Sequence, residues 1–224
     1  MSVPSNPPLQ RSIRQVFSGA GGIALAVLLL SGAGCRYQKP KFDVDERVIL
    51  IVPFRDFTAV NRTGYGESPL GQKIVDAFRT WSESNADPYF SDEADQDSVV
   101  KALREWTKSK ITTTDWKQLC GGTDADLVLI GEIKEMELRD PKTIGMFKGT
   151  IKGKYTLIDA RTGLPAYKSP DYSLEYPKGT ELDSPIPDIS AKPKDIERGL
   201  IREFGERIGK DLYGYYEDRR YLNP

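Results

Sequence analysis

Residues 48–54 read Val-Ile-Leu-Ile-Val-Pro-Phe, an uninterrupted apolar run rich in β-branched side chains. A run without polar alternation predicts a strand covered on both faces, as in a sheet that carries helices above and below. Pro53 marks its end or an edge position, because proline brings no amide hydrogen to a ladder. A second run of the same character, Ala125 to Gly131 (ADLVLIG), continues as a more alternating strand through Leu138, until Asp140 and Pro141 break it.

The residues between these runs have helical spacing. After a loop from Arg55 to Glu67, Ser68 and Pro69 supply an N-cap hydroxyl and a first-turn proline. The helix they open carries Leu70, Ile74, Phe78 and Trp81 on one face. Asn85 to Gln96 is acidic and irregular, with a short strand near Tyr89 and Phe90. A second helix from about Asp97 to Lys108 presents Val99, Val100, Leu103 and Trp106 at helical intervals. A third, short one starts at Thr114 or Asp115 and stops at the Gly121 and Gly122 pair.

Beyond the second run, Phe147 to Asp159 alternates. Phe147, Ile151, Tyr155 and Leu157 lie on one face and Lys148, Thr150, Lys152, Lys154 and Thr156 on the other, which suits a half-exposed antiparallel strand. The turn Ala160 to Gly163 joins it to a strand from about Ala166 to Tyr176. Lys178 to Lys194, rich in Pro, Ser and Asp, reads as a loop. Asp195 to Glu217 then forms an amphipathic helix with Ile196, Leu200, Ile201, Phe204, Ile208 and Leu212 inward, and Gly205 and Gly209 permit close approach to the sheet. The fold class is therefore α/β (α+β), a mixed sheet of about four to five strands with helices packed on it.

The N-terminal region has a different logic. Arg11 and Arg14 precede an apolar stretch from Val16 to Leu30, then Ser31, Gly32, Ala33, Gly34 and Cys35, with no acidic residue before the cysteine. Positive charge resists translocation while the apolar stretch enters the bilayer, so the rest of the chain is delivered across the membrane. This segment resembles the signal of bacterial lipoprotein precursors, whose small-residue lipobox ends in a lipidated cysteine. The family pattern has leucine or a similar residue three positions before the cysteine, where this chain has Gly32. The resemblance implies lipidation at Cys35, with diacylglycerol and an acyl chain such as palmitate, and release of residues 1–34. Two or three chains at about 0.8 kcal/mol per buried methylene hold a protein firmly. By resemblance to the sorting of enteric lipoproteins, Arg36 in place of Asp after the cysteine implies the outer membrane, with the inner membrane as the alternative. Three rival readings stand beside lipidation: an uncleaved anchor, since Gln15 to Cys35 is long enough to span a core of about 30 Å, ordinary cleavage without lipid, and a buried core helix, which the glycines and the N-terminal position oppose.

The organisation expected is thus a signal peptide (1–34), a lipid-anchored tether (35–46), a single α/β domain (47–217) and a tail (218–224). The tether is polar and carries Pro40. At about 3.5 Å per residue it reaches no further than about 40 Å.

Composition narrows the chemistry. Loss of residues 1–34 removes two arginines, taking the formal net charge from −1 to −3, so no basic excess exists to grip nucleic acid. Histidine is absent. That excludes Ser-His-Asp and Cys-His nucleophilic catalysis, His-ligated zinc and His-ligated haem together. With Cys35 acylated only Cys120 remains and no internal disulfide forms; beside Gly121 and Gly122 it is a candidate reactive thiol, but among Trp116, Leu119 and Ala125 it reads as a packed core thiol.

Several weaker signals have bland counterparts. Gly64, Gly66 and Gly71 resemble a phosphate loop in spacing, yet Gln72 and Lys73 follow where Lys and Ser or Thr belong, and Glu67 would repel phosphate. Asp87, Asp92, Glu93, Asp95 and Asp97 lack EF-hand spacing and read as a solvated acidic stretch. Lys148, Lys152 and Lys154 form either a solvated face or a contact for anionic lipid. Tyr213, Tyr215, Tyr216 and Tyr221 are core packing plus tail, or a docking surface. No cofactor and no metal is expected.

Val48 to Thr58 (VILIVPFRDFT) and Gly122 to Ile133 (GTDADLVLIGEI) resemble two landmarks of the CsgG, LpoB and TolB N-terminal superfamily of envelope proteins. These are an apolar strand ending in Pro-Phe plus a polar residue, and an Ala-Asp step into an apolar strand ending in glycine. The resemblance implies a non-enzymatic envelope role: a secretion-channel subunit, an activator of a cell-wall synthase, or a docking partner in the periplasm. Lys148, Lys152 and Lys154 disfavour a lipid-facing channel hairpin. The short tether disfavours reaching through the cell wall. The expected role is a lipid-anchored domain that docks an envelope protein or a peptidoglycan-associated partner. The alternative is a lipid-anchored hydrolase using carboxylates such as Glu132 or Asp159, which would have to share a pocket with a second carboxylate.

Overall fold

The computed structural model describes residues 36–58, 64–65, 67–105, 111–138, 148–177 and 193–217. After a first short strand, β1 (Arg36–Gln38), the apolar run forms β2 (Val48–Ile51), which ends before Pro53. The chain resumes as β3 (Arg55–Asp56) along the same neighbour. From Ile51 to Arg55 it advances four residues while that neighbour advances three, Leu129 to Glu132, so the chain bulges where the proline cannot donate. The strand expected through Phe54 therefore stops at Ile51, and β3 opens the stretch expected as a loop.

Helix α1 (Pro69–Asn85) starts as the sequence indicates, with Ser68 Oγ accepting from Gly71 N at 3.1 Å. It leads to β4 (Tyr89–Phe90) and then α2 (Glu93–Glu105), which begins four residues before the expected Asp97. Asp92 Oδ1 accepts from Asp95 N at 2.8 Å there, so the acidic stretch supplies a helix start. α3 (Thr113–Cys120) is closed by a reciprocal cap, Asp115 N to Thr112 Oγ1 and Thr112 N to Asp115 Oδ2. Next come β5 (Leu127–Glu137) and β6 (Gly149–Asp159).

The strand expected over Ala166 to Tyr176 is divided into β7 (Pro165–Lys168) and β8 (Tyr172–Tyr176), both antiparallel to β6. Pro170 lies in the gap. Ser169 fills in for the ladder, donating its N–H to Tyr155 O and accepting from Tyr155 N through its hydroxyl. The last helix, α4 (Pro193–Tyr213), ends earlier than expected. Gly214 takes φ 72°, a conformation that favours glycine, and the chain reverses into β9 (Tyr215–Glu217).

The main sheet has the order β4-β2-β5-β6-β7, with β3 beside β5 and β8 beside β6. Seven strands replace the expected four to five, because two-residue strands and the split one add to it. β4, β2 and β5 are parallel and β6 is antiparallel to β5. Alternate side chains serve opposite faces. Ile49, Ile51, Leu127, Leu129 and Leu157 join Phe78, Leu200, Phe204 and Ile208 of α1 and α4 in one core. Leu50, Val52, Val128 and Ile158 join Val99, Leu103, Trp116 and Cys120 of α2 and α3 in the other. The result is helices over both faces of a mixed sheet.

Gly205 and Gly209 allow α4 close to α1 rather than to the sheet. A Cβ at Gly205 would fall 2.6 Å from Phe78 N, and one at Gly209 would fall 2.0 Å from the Trp81 ring. Cys35, the segment 1–34, Gly66, Trp106, Phe147, the loop 178–192 and the tail 218–224 lie outside the described residues.

Candidate functional site

The segment 37–46, expected as a tether, is docked on the domain instead of hanging free. Val44 is 1% exposed within the main core, and Phe42 packs on the Tyr167 ring at 5.6 Å. Their alternation with Asp43 gives an extended segment one apolar face. Lys41 N and Phe42 N both donate to Asp211 O, at 2.7 and 3.3 Å.

The Asp211 side chain completes the clasp. It is buried near the end of α4, with Oδ1 3.0 Å from Lys41 Nζ and 3.5 Å from Arg207 Nε. Tyr155 OH donates to Oδ2 at 3.1 Å, and Tyr172 OH donates to the same oxygen. A buried carboxylate is tolerated only when paired and hydrogen-bonded, and Asp211 is both. Burial pushes the Tyr172 phenol up to about 12, with the Asp211 hydrogen bond adding to it. Burial, followed by the charge of Asp211, raises the Tyr155 phenol much further. The region expected as a tether is thereby fixed to α4, β6 and β8. Sequence reading missed this because each partner lies far from Lys41 in the chain; the apolar Phe42 and Val44 were the available signal.

At the same end of the molecule β1 pairs with β9 in a separate two-stranded ribbon. The rings of Tyr37 and Tyr216 meet there with centroids 5.2 Å apart, and the two residues are 46% and 74% exposed. Tyr213 and Tyr215, by contrast, are part-buried. Tyr221 lies outside the described residues.

A hollow of 470 Å³ lies where the parallel strands begin, lined by Asp45, Glu46, Arg47, Asp126, Asp159 and Arg161. It joins Asp126 and Asp159, though both are occupied as acceptors. Asp126 takes Val48 N at 3.2 Å and Arg161 at 2.9 Å; Asp159 takes the amide and hydroxyl of Thr162 at 2.8 and 2.9 Å. The Thr162 amide holds the Asp159 carboxyl below its usual range. Glu132 is not in this hollow. It pairs with Lys154 at 3.3 Å, and the register of Leu127 with Asp159 puts it five residues along the strand, roughly 17 Å from Asp159.

Other sequence candidates resolve into local roles. Lys148, Lys152 and Lys154 pair with Glu175, Glu135 and Glu132 on neighbouring strands, so that face is a cross-strand lattice of ion pairs. Gly64 N donates to Glu67 Oε2 at 2.7 Å, so a carboxylate of the chain itself occupies the amide that a phosphate would need. A Cβ at Gly71 would lie 2.0 Å from Phe54 O, so this glycine lets α1 approach the backbone between β2 and β3. Cys120 is buried, and burial pushes its thiol up to about 11. Among the described residues no group of acidic or cysteine side chains is arranged to hold a metal ion, and no helix is long and apolar enough to cross a membrane.

No family model matches the chain, and no curated protein matches it in sequence. Solved structures that resemble it include the lipoprotein GNA1162 of Neisseria meningitidis, at 18% identity and a TM-score of 0.40, covering 58% of this chain and 82% of that one. Protein CT253 of Chlamydia trachomatis aligns at 15% identity and a TM-score of 0.42, covering 73% and 96%. The PelC dodecamer subunit of Paraburkholderia phytofirmans aligns at 12% identity and 0.36, covering 79% and 97%. At TM-scores below 0.5 these likenesses are too loose to transfer a partner, an activity or a location to this chain.

Proposed function

We propose that this protein is a non-catalytic envelope lipoprotein, held to a membrane through lipid on Cys35, whose α/β domain docks a protein or peptidoglycan-associated partner from the periplasmic side. The observation that carries the reading is the basic, apolar and small-residue leader ending at Cys35, directly before a segment that packs into the folded domain. The resemblance of 48–58 and 122–133 to the CsgG, LpoB and TolB N-terminal superfamily supports a binding role. Those two motifs form neighbouring parallel strands here. The lattice of ion pairs on the β6 face supports a water-facing sheet over a lipid-facing hairpin.

Fractionation and palmitate labelling of the wild type and Cys35→Ser test the anchor. The reading expects labelled wild type in the membrane fraction and unlabelled, soluble, folded variant. If both proteins stay in the membrane without label, the segment is an uncleaved anchor. Cross-linking in intact cells followed by identification of the captured protein tests the docking role, and sucrose-gradient separation of the two membranes assigns the outer or inner one.

A further inference from the structure

We propose that the β1–β9 ribbon rests on the membrane, with the paired Tyr37 and Tyr216 rings in the headgroup layer of the leaflet that holds the anchor. This rests on the membrane-anchored reading and adds an orientation to it. The first support is reach: Tyr37 follows Cys35 by two residues, so their Cα atoms are no more than about 7 Å apart. Whether Cys35 carries lipid or ends a membrane-spanning leader, Tyr37 is confined to the bilayer surface.

The second support is chemical. The large apolar side chains exposed among the described residues are Tyr37, Tyr89, Leu164 and Tyr216, and they share one end of the fold. Tyr89 opens β4 opposite Val48, the first residue of β2. Leu164 lies in the turn after Asp159, which pairs with Leu127 at the start of β5. α4 runs alongside β6 in the same direction, since Gly149 meets Ile196 and Leu200, Gly153 meets Phe204, and Tyr155 meets Asp211. The ribbon follows the end of α4 and so lies at that same end. Tyrosine, with an apolar ring and a polar tip, is favoured at a membrane interface.

The third support is rigidity. Lys41 and Phe42 are bonded to Asp211, and Tyr37 OH donates to Tyr213 O, so the ribbon moves with the domain and its placement orients the whole. Arg36, Lys39, Lys41 and Arg47 are exposed close by together with Asp43, Asp45 and Glu46, so charges of both signs mix there and the rings carry the contact.

The test uses the full chain in phosphatidylcholine vesicles whose acyl chains are brominated near the headgroup. Tryptophan is introduced by Tyr216→Trp or, as a control, by Glu175→Trp on the exposed ion-paired face, and the emission of the wild type is subtracted. The added emission at 216 should be quenched and blue-shifted, and that at 175 should not be. Vesicle flotation of both variants with no more quenching at 216 than at 175 overturns the proposal and leaves the anchor intact; a protein partner covering the rings would give this result. Failure of the wild type to float overturns the anchored reading itself.

Discussion

Lys41 Nζ and Asp211 Oδ1 lie 3.0 Å apart, one shortly after β1 and the other near the end of α4. Removing Lys41 leaves Asp211 with Arg207 and two phenols, whereas removing Asp211 strips the whole cluster of its shared acceptor. Lys41→Met should therefore cost about 1 kcal/mol, and Asp211→Ala about 3–5 kcal/mol. Urea denaturation measures both, and limited proteolysis should cut 37–46 faster in Lys41→Met. Equal stability of the two variants would contradict this hierarchy.

Gly71 and Gly122 make a matched pair for substitution by alanine. At Gly71 the new carbon would meet the Phe54 carbonyl oxygen at 2.0 Å, and backbone on both sides must move. At Gly122 nothing lies within 4 Å. Gly71→Ala should lose about 3 kcal/mol or more, in the range of overpacked sites. Gly122→Ala should change stability by no more than about 1 kcal/mol.

Stability should fall as pH rises through the alkaline range. The Cys120 thiol is pushed up to about 11 and the Tyr172 phenol to about 12. Above their ordinary values the unfolded chain releases these protons while the folded chain keeps them, so stability is full below and declines on going up. Each such group contributes a slope of up to about 1.4 kcal/mol per pH unit. Urea midpoints measured upward from neutral pH should drop, and Cys120→Ala or Tyr172→Phe should flatten the decline. The same burial predicts that Cys120 resists thiol reagents until the protein unfolds.

Asp159 gives a direct check on carboxylate chemistry in the hollow. The Thr162 amide favours its charged form, so its stabilising contribution is present above the ordinary carboxylate range and is lost as pH falls through the lowered value. A carbon-detected NMR titration should find it below that range. A general acid would need a value of about 5 or higher, and finding one would bring the hydrolase reading forward.

The parts of the fold that follow from near neighbours in sequence were legible. Ser68 and Pro69 start a helix because a hydroxyl and a missing amide hydrogen suit a first turn, and the apolar runs at 48 and 125 became adjacent parallel strands because both faces are covered. Errors arose where distant residues decide. The polar segment 36–46 looks like a free linker until Lys41 finds Asp211. The glycines at 205 and 209 face a helix because α1 and α4 share one side of the sheet. Of the candidate site, the lysines of β6 were visible as an exposed row, but their glutamate partners belong to strands whose register no local pattern specifies.

The reversal at Gly214 puts the first and last described strands in one ribbon, so the described domain is fastened at both ends in the same place. Mechanically, a pull applied at Arg36, the first described residue, is divided at once between β2 and α4. To peel the domain from its N-terminal side, a force must part the ribbon and break the Asp211 clasp before it reaches the sheet.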